Sequence, residues 1–186
     1  MIDKAKAVRL GIEAGSMLYD PARKDCTQLE FIYELAQIAP DGTGIEVGVK
    51  CGGTVVTWGL ARIGRGKVIA IDNRRTENYE TALIEKLVDY GIEATLLEVN
   101  SWDAPEFIDG RVAFCFVDAD HSYKCISRDI AVWPDKIQPS GILVFHDYGV
   151  WKPNVAVKQV VDEWQERAQW EQIGIVGALI AFRRPN

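Results

Sequence analysis

The stretch Thr43-Gly44-Ile45-Glu46-Val47-Gly48-Val49-Lys50-Cys51-Gly52-Gly53 passes from a short apolar run directly into glycines. A strand that breaks this way lets a backbone turn come close to a ligand, and a helix that follows aims its unpaired N–H groups at the same point. A second apolar run, Lys67 to Ile71, ends on Asp72, an acid able to accept both hydroxyls of a ribose. Asp72 lies 24 residues after Gly48, close to the roughly 20 that separate a glycine loop from its ribose acid in nucleotide-binding α/β sheets. The pair reads as the site of a ribose-bearing cofactor and by itself leaves open which one.

Outward from this pair, short β-branched or aromatic runs alternate with amphipathic stretches, the pattern of a parallel sheet with crossover helices. The strand candidates are Gly44 to Val47, Val68 to Ile71, Ala94 to Val99, Val112 to Val117 and Ile142 to Phe145. The crossover candidates are Gly53 to Ile63, Glu77 to Tyr90 with Gly91 as its cap, Trp102 to Ile108, and Tyr123 to Trp133. Two helices precede them, Lys4 to Met17 and Thr27 to Ala39, the second stopped by Pro40-Asp41-Gly42. The end differs: a helix over Val155 to Ala168 is followed by Trp170 to Ile173 and Ala178 to Phe182, with Gly174 to Gly177 as the turn of an antiparallel hairpin. The expected fold is α/β, a Rossmann-like doubly wound sheet of seven mostly parallel strands, with helices on both faces and a C-terminal antiparallel hairpin. One domain over residues 1–186 is expected, residues 1–40 forming a helical segment packed on the core.

Composition narrows the classes. A 48% hydrophobic, 26% charged chain is ordinary for a globular protein. A net charge of −6 argues against a long nucleic-acid partner, which calls for a basic face. The basic clusters Lys4, Lys6 and Arg9, and Arg74-Arg75, read as solvated surface charge. Cysteines 26, 51, 115 and 125 form no C-x-x-C pair and read as free thiols, Cys115 packing in the core. No apolar run approaches the ~20 residues of a membrane span, and Met1-Ile2-Asp3-Lys4 lacks a signal-peptide core, so a cytoplasmic location is expected.

The order of elements and four local segments resemble the class I methyltransferases that use S-adenosylmethionine. Glu46-Val47-Gly48 matches that family's acid-x-glycine loop, and Gly48, Gly52 and Gly53 depart from the G-x-G-x-x-G of dinucleotide enzymes. Two further segments, Phe116-Val117-Asp118-Ala119-Asp120-His121-Ser122-Tyr123 and Gly141-Ile142-Leu143-Val144-Phe145-His146-Asp147-Tyr148, are similar to the small-molecule O-methyltransferases that include the macrocin and mycinamicin sugar methyltransferases. The resemblance spans Gly44 to Val161. It implies that Glu46 sits near the amino-acid end of the cofactor, that Gly48 and Gly52 shape its loop and that Asp72 takes the ribose. It also implies Asn73, Asn100, Ser101 and Trp102 near the adenine, and Asp118 beside the cofactor.

Methyl transfer from a sulfonium to oxygen is an in-line displacement, served by positioning, by a base for the acceptor proton, or by a divalent metal that stabilises the oxyanion. Asp118, Asp120 and His121 follow the fourth strand and His146 and Asp147 the fifth, where ligands of open parallel sheets bind. The chain has two histidines, and both are here. The resemblance makes Asp118, His146 and Asp147 ligands of magnesium or manganese, with His121 or Asp120 as base. His146 stands where a carboxylate is common; an imidazole there favours a softer ion such as manganese, or a catalytic role without metal.

The resulting expectation is an S-adenosylmethionine-dependent O-methyltransferase acting on a sugar or secondary metabolite. The alternatives are an NAD-dependent oxidoreductase or a catalytically silent cofactor-binding module. Met1 to Lys24 and Tyr148 to Asn154 are the expected cover of the acceptor, with Tyr19, Tyr148 and Trp151 as candidate lining. Both segments are short, which leaves room for a homo-oligomer whose neighbour completes the pocket.

Overall fold

In the computed structural model, residues 2–74, 79–150, 152 and 155–186 are described. Two helices, α1 (Lys4–Glu13) and α2 (Thr27–Ile38), precede β1 (Thr43–Val47), α3 (Gly53–Ala61), β2 (Val68–Ile71), α4 (Tyr79–Asp89) and β3 (Ala94–Leu97). Then follow β4 (Val112–Val117), α5 (Tyr123–Lys136), β5 (Ile137–Phe145), α6 (Val157–Ala168), β6 (Glu171–Val176) and β7 (Leu179–Arg183). The strands form one sheet of order β3-β2-β1-β4-β5-β7-β6. The first five are parallel, and β7 runs antiparallel to both β5 and β6. The expected seven-stranded fold with its reversed hairpin is what the chain adopts.

Successive side chains of a strand point to opposite faces, and the core divides accordingly. Phe114, Phe116, Ile142 and Val144 join α1 to α4 in one cluster, while Cys115, Val117, Leu143 and Phe145 join α5 and α6 in the other. Helix α3 is buried along its whole length, because α1 and α2 both pack on it. Missing side chains allow that approach. A Cβ on Gly11 would lie 1.8 Å from Thr57 Oγ1, and one on Gly53 would lie 2.1 Å from the backbone nitrogen of Ser16.

Several expected boundaries move for local reasons. Helix α1 ends at Glu13 rather than Met17 because Gly15 turns at φ +89°. The third crossover is only a 3-10 turn, Ala104–Phe107, opened by Pro105 in its first turn, and β3 stops at Leu97 instead of Val99. Helix α5 runs through Pro134 to Lys136 and passes straight into β5. The hairpin turns at Gly177 and Ala178, between the paired Val176 and Leu179. Gly174 lies inside β6, where the Phe31 ring occupies the space a side chain would need. Glu77, the expected start of α4, Arg75, Trp151 and Asn154 lie outside the described residues.

Two members of the N-terminal basic cluster pair as surface charges do, Lys4 with Glu34 at 2.7 Å and Arg9 with Glu13 at 3.7 Å. The four cysteines are free, Cys115 buried among them. No helix among the described residues is long and apolar enough to cross a membrane.

Candidate active site

The register sets the site. Leu97, Ile71, Val47, Val117 and Phe145 pair in one row across the five parallel strands. The residues just past that row are Glu98, Asp72, Gly48, Asp118 and His146. Strand order reverses between β1 and β4, and such a switch point opens a crevice at the carboxyl ends of the strands. A cavity of about 550 Å³ opens there, a size suited to a cofactor with an acceptor. Of the sequence candidates, Glu46, Gly48, Asp72, Asn73, Ser101, Trp102, Asp118, Asp120, His121, His146 and Asp147 line it. Gly52 and Asn100 do not. Gly52 caps the start of α3 at φ +78°, where a Cβ would lie 2.5 Å from the Leu83 side chain, and Asn100 bonds Asn73 and Asp103.

The glycine-loop end is built largely from backbone. Gly48 adopts φ +85°, and a Cβ there would lie 2.2 Å from the Asp118 carbonyl oxygen, so the glycine serves strand packing as much as ligand approach. Lys50 N–H donates to Asp72 Oδ2 at 2.9 Å and Arg74 N–H to Asp72 Oδ1 at 3.0 Å. A carboxylate offers about four acceptor sites, so one acid can accept from two N–H groups of the loop at once and steady it. Lys86 of α4 donates to the carbonyls of Ala14 and Cys51, tying the end of α1 to the loop.

Glu46 is 2% exposed and accepts from the Trp58 indole at 2.6 Å. Burial drives its carboxyl well above the ordinary value; the Trp58 bond opposes this, and Asp118 and Asp72 add to it. An ammonium group arriving nearby would relieve this buried charge, which fits the amino-acid end of a cofactor.

At the other end four side chains converge. His121 Nε2 lies 3.3 Å from Asp118 Oδ1 and 2.9 Å from Asp147 Oδ2. His146 Nδ1 lies 3.0 Å from the same Asp118 oxygen and 3.7 Å from Asp147 Oδ2. The hydrogen bonds to Asp118 and Asp147 raise the His121 pKa to about 10 against the effect of burial. Burial opposes the charge on His146, but Asp118 outweighs it and the pKa rises. Burial likewise pushes Asp118 up, and the two histidines reverse this and hold it below the ordinary carboxylate value. Asp120 lines the cavity but stands outside this cluster: it accepts from the Ser122 N–H at 2.8 Å at the start of α5 and is exposed.

Among the described residues, Asp118, His121 and Asp147 form the group whose donor atoms all lie within 4.8 Å of one another. Neighbouring ligands of an octahedral ion bound at ~2.1 Å stand ~3.0 Å apart; the separations of 2.9 and 3.3 Å fit such a site. Two carboxylates and an imidazole suit manganese or zinc better than magnesium. The expected set of Asp118, His146 and Asp147 thus differs from the geometric one by His121 in place of His146.

The N-terminal segment expected to cover the acceptor does reach the cavity, at residues that the sequence did not single out. Ser16 and Met17 line the cavity, Ser16 pinned by Thr54 Oγ1 at 2.8 Å. The only signal was the glycine at position 15 between two helices. Tyr19 and Tyr148 do not line the cavity: Tyr19 packs on one core cluster, and the Tyr148 hydroxyl donates to Asp162.

A doubly wound sheet with a reversed C-terminal hairpin and a cavity at its switch point is the Rossmann-like fold of methyltransferases. Over residues 45–148, more than half of the chain, the sequence matches the family described as a methyltransferase domain, and the chain belongs to that family. The solved O-methyltransferase NovP is similar at 16% identity over 99% of this chain and 100% of its own, with a TM-score of 0.73. TomG from Streptomyces achromogenes, an O-methyltransferase involved in tomaymycin synthesis and solved with S-adenosylmethionine, aligns at 16% identity over 99% and 100% with a TM-score of 0.65. An rRNA methylase from Streptococcus thermophilus aligns at 16% over 92% and 100% with a TM-score of 0.60. Identities this low speak to the fold, and acceptors as unlike as these leave this chain's own to be argued from its site.

Proposed function

We propose that this protein transfers a methyl group from S-adenosylmethionine to an oxygen of a small hydroxylated molecule, a sugar or secondary metabolite, in the manner of the macrocin and mycinamicin methyltransferases. One observation carries the reading: Glu46, the Gly48 loop and Asp72 share a single cavity with the cluster of Asp118, His121, His146 and Asp147. A silent binding module has no use for that cluster, and the loop departs from the glycine pattern of nicotinamide enzymes.

Bound in this cavity, S-adenosylmethionine supplies a sulfonium methyl whose bond to sulfur breaks as the bond to the acceptor oxygen forms. Asp72 holds the ribose and Glu46 faces the amino-acid end. Asp118, Asp147 and His121 are the residues to hold a divalent ion, which would lower the pKa of an acceptor hydroxyl and stabilise its oxyanion. Where Asp118 and Asp147 are committed to a cation, the pairing that keeps His121 charged is lost. A His121 that is left off the ion then titrates nearer its ordinary range and can take the acceptor proton, with His146 orienting Asp118; a His121 that joins the two carboxylates as third ligand has no lone pair for that proton and leaves the ion to acidify the hydroxyl.

Isothermal titration with S-adenosylmethionine tests the cofactor: wild type binds and Asp72→Ala loses most of that binding. A wild type that binds none overturns the reading. Methylation unaffected by EDTA would remove the metal, and methylation surviving His121→Ala would remove the base.

A further inference from the structure

A polar pair at the far end of the cavity has no part in methyl transfer. In the order β3-β2-β1, the chain leaving β3 lies beyond Asp72 as seen from Gly48. A ring carried on a ribose held by Asp72 therefore rests over Val99, Ser101 and Trp102, which line that end. Ser101 is 8% exposed, and its hydroxyl donates in a short hydrogen bond to Asp129 Oδ1 on α5. Asp129 is 1% exposed; its Oδ2 and the Trp133 indole N–H one turn later are both buried with no hydrogen-bond partner among the described residues. Burial raises the Asp129 pKa to about 6, with Ser101 opposing and Asp120 adding, so the carboxylate is ionised at pH 8. A hydroxyl carries one proton, and one given to Asp129 leaves only lone pairs for the cavity.

We infer that Asp129 sets the polarity of Ser101, so that the serine presents a hydrogen-bond acceptor to the cofactor's base and selects a ring bearing an exocyclic amino group over one bearing a carbonyl. Asp129 is a positioning residue that acts through Ser101 and touches no ligand. The inference rests on the proposed S-adenosylmethionine reading and adds to it the means by which the base is read. Its distinctive consequence lies in Asp129→Asn. The amide N–H donates to Ser101 Oγ, the serine proton turns into the cavity, and the preference shifts towards a carbonyl.

The test is titration at pH 8 with S-adenosylhomocysteine and its deaminated counterpart, S-inosylhomocysteine. Wild type should favour the adenosyl compound by about tenfold or more, the size of one well-placed hydrogen bond. Asp129→Asn should narrow or invert that ratio by about tenfold, and Ser101→Ala should flatten it. An unchanged ratio in folded Asp129→Asn overturns the inference. If circular dichroism shows that variant unfolded, Ser101→Ala decides, with an unchanged ratio overturning the inference and a flattened one supporting it. Equal binding of both compounds by wild type overturns this inference alone, while binding of neither overturns the proposed function with it.

Discussion

The two ends of the cavity are made of different material. The glycine-loop end is backbone: Gly48 and Gly52 at positive φ, Lys50 at φ 52° giving its N–H to Asp72. The other end is four side chains on two loops, holding one another through charge, and Asp147 sits there at φ 55°. A backbone cradle keeps its shape whatever its ligand does. A cluster of two acids and two histidines takes its protonation from whatever cation or proton is present, which is what chemistry on an acceptor hydroxyl requires.

Changes that strike both ends, then one end, then neither shape nor chemistry should separate these roles. Gly48→Ala does the most, because its Cβ would collide with the Asp118 carbonyl at a φ costly for alanine. A loss of about 2–4 kcal/mol is expected, seen as a melting temperature lower by about 5–15 °C, with cofactor binding and turnover lost together. Asp147→Asn should lower turnover by about 100-fold while titration shows cofactor affinity within about threefold; loss of both would erase the distinction between the ends. Asp72→Ala should do the reverse, weakening the cofactor by about 10- to 100-fold with turnover at saturation near wild type.

The smallest effect belongs to Glu46→Gln, which keeps an acceptor for Trp58 and removes a buried charge. Folded Glu46 holds its proton more tightly than the unfolded chain does, so this group's contribution to stability falls as pH rises from about 4.5 through its folded pKa. The variant should therefore melt about 2–4 °C higher at pH 8, roughly 1 kcal/mol, and the gain should shrink toward pH 5. A gain constant with pH would show that folding leaves the Glu46 pKa where it is in the unfolded chain.

The backbone-built end was the more legible in the sequence. Its spacing from Gly48 to Asp72 is a local pattern, and the apolar runs on either side fix the strands that carry it. The histidines and acids at 118–121 and 146–147 were legible as a group, since both stretches follow strands. Their partnering was not, because it depends on the register that sets Val117 against Phe145. His121 rather than His146 completing the three-residue group, and Asp120 turning back to Ser122, are results of side-chain direction at the mouth. Spacing carries no such information. Asp129 was invisible for the same reason: it lies mid-helix, and only packing brings it under Ser101.

The wholly buried α3 bears on what can be removed from the chain. The stretch matched by the family starts at residue 45, so α1 and α2 lie outside it. Those two helices nevertheless keep water from an apolar helix with no polar face of its own. A version trimmed to the matched stretch would bare that helix beside the glycine loop, and it should come out of expression as an aggregate rather than as a smaller enzyme.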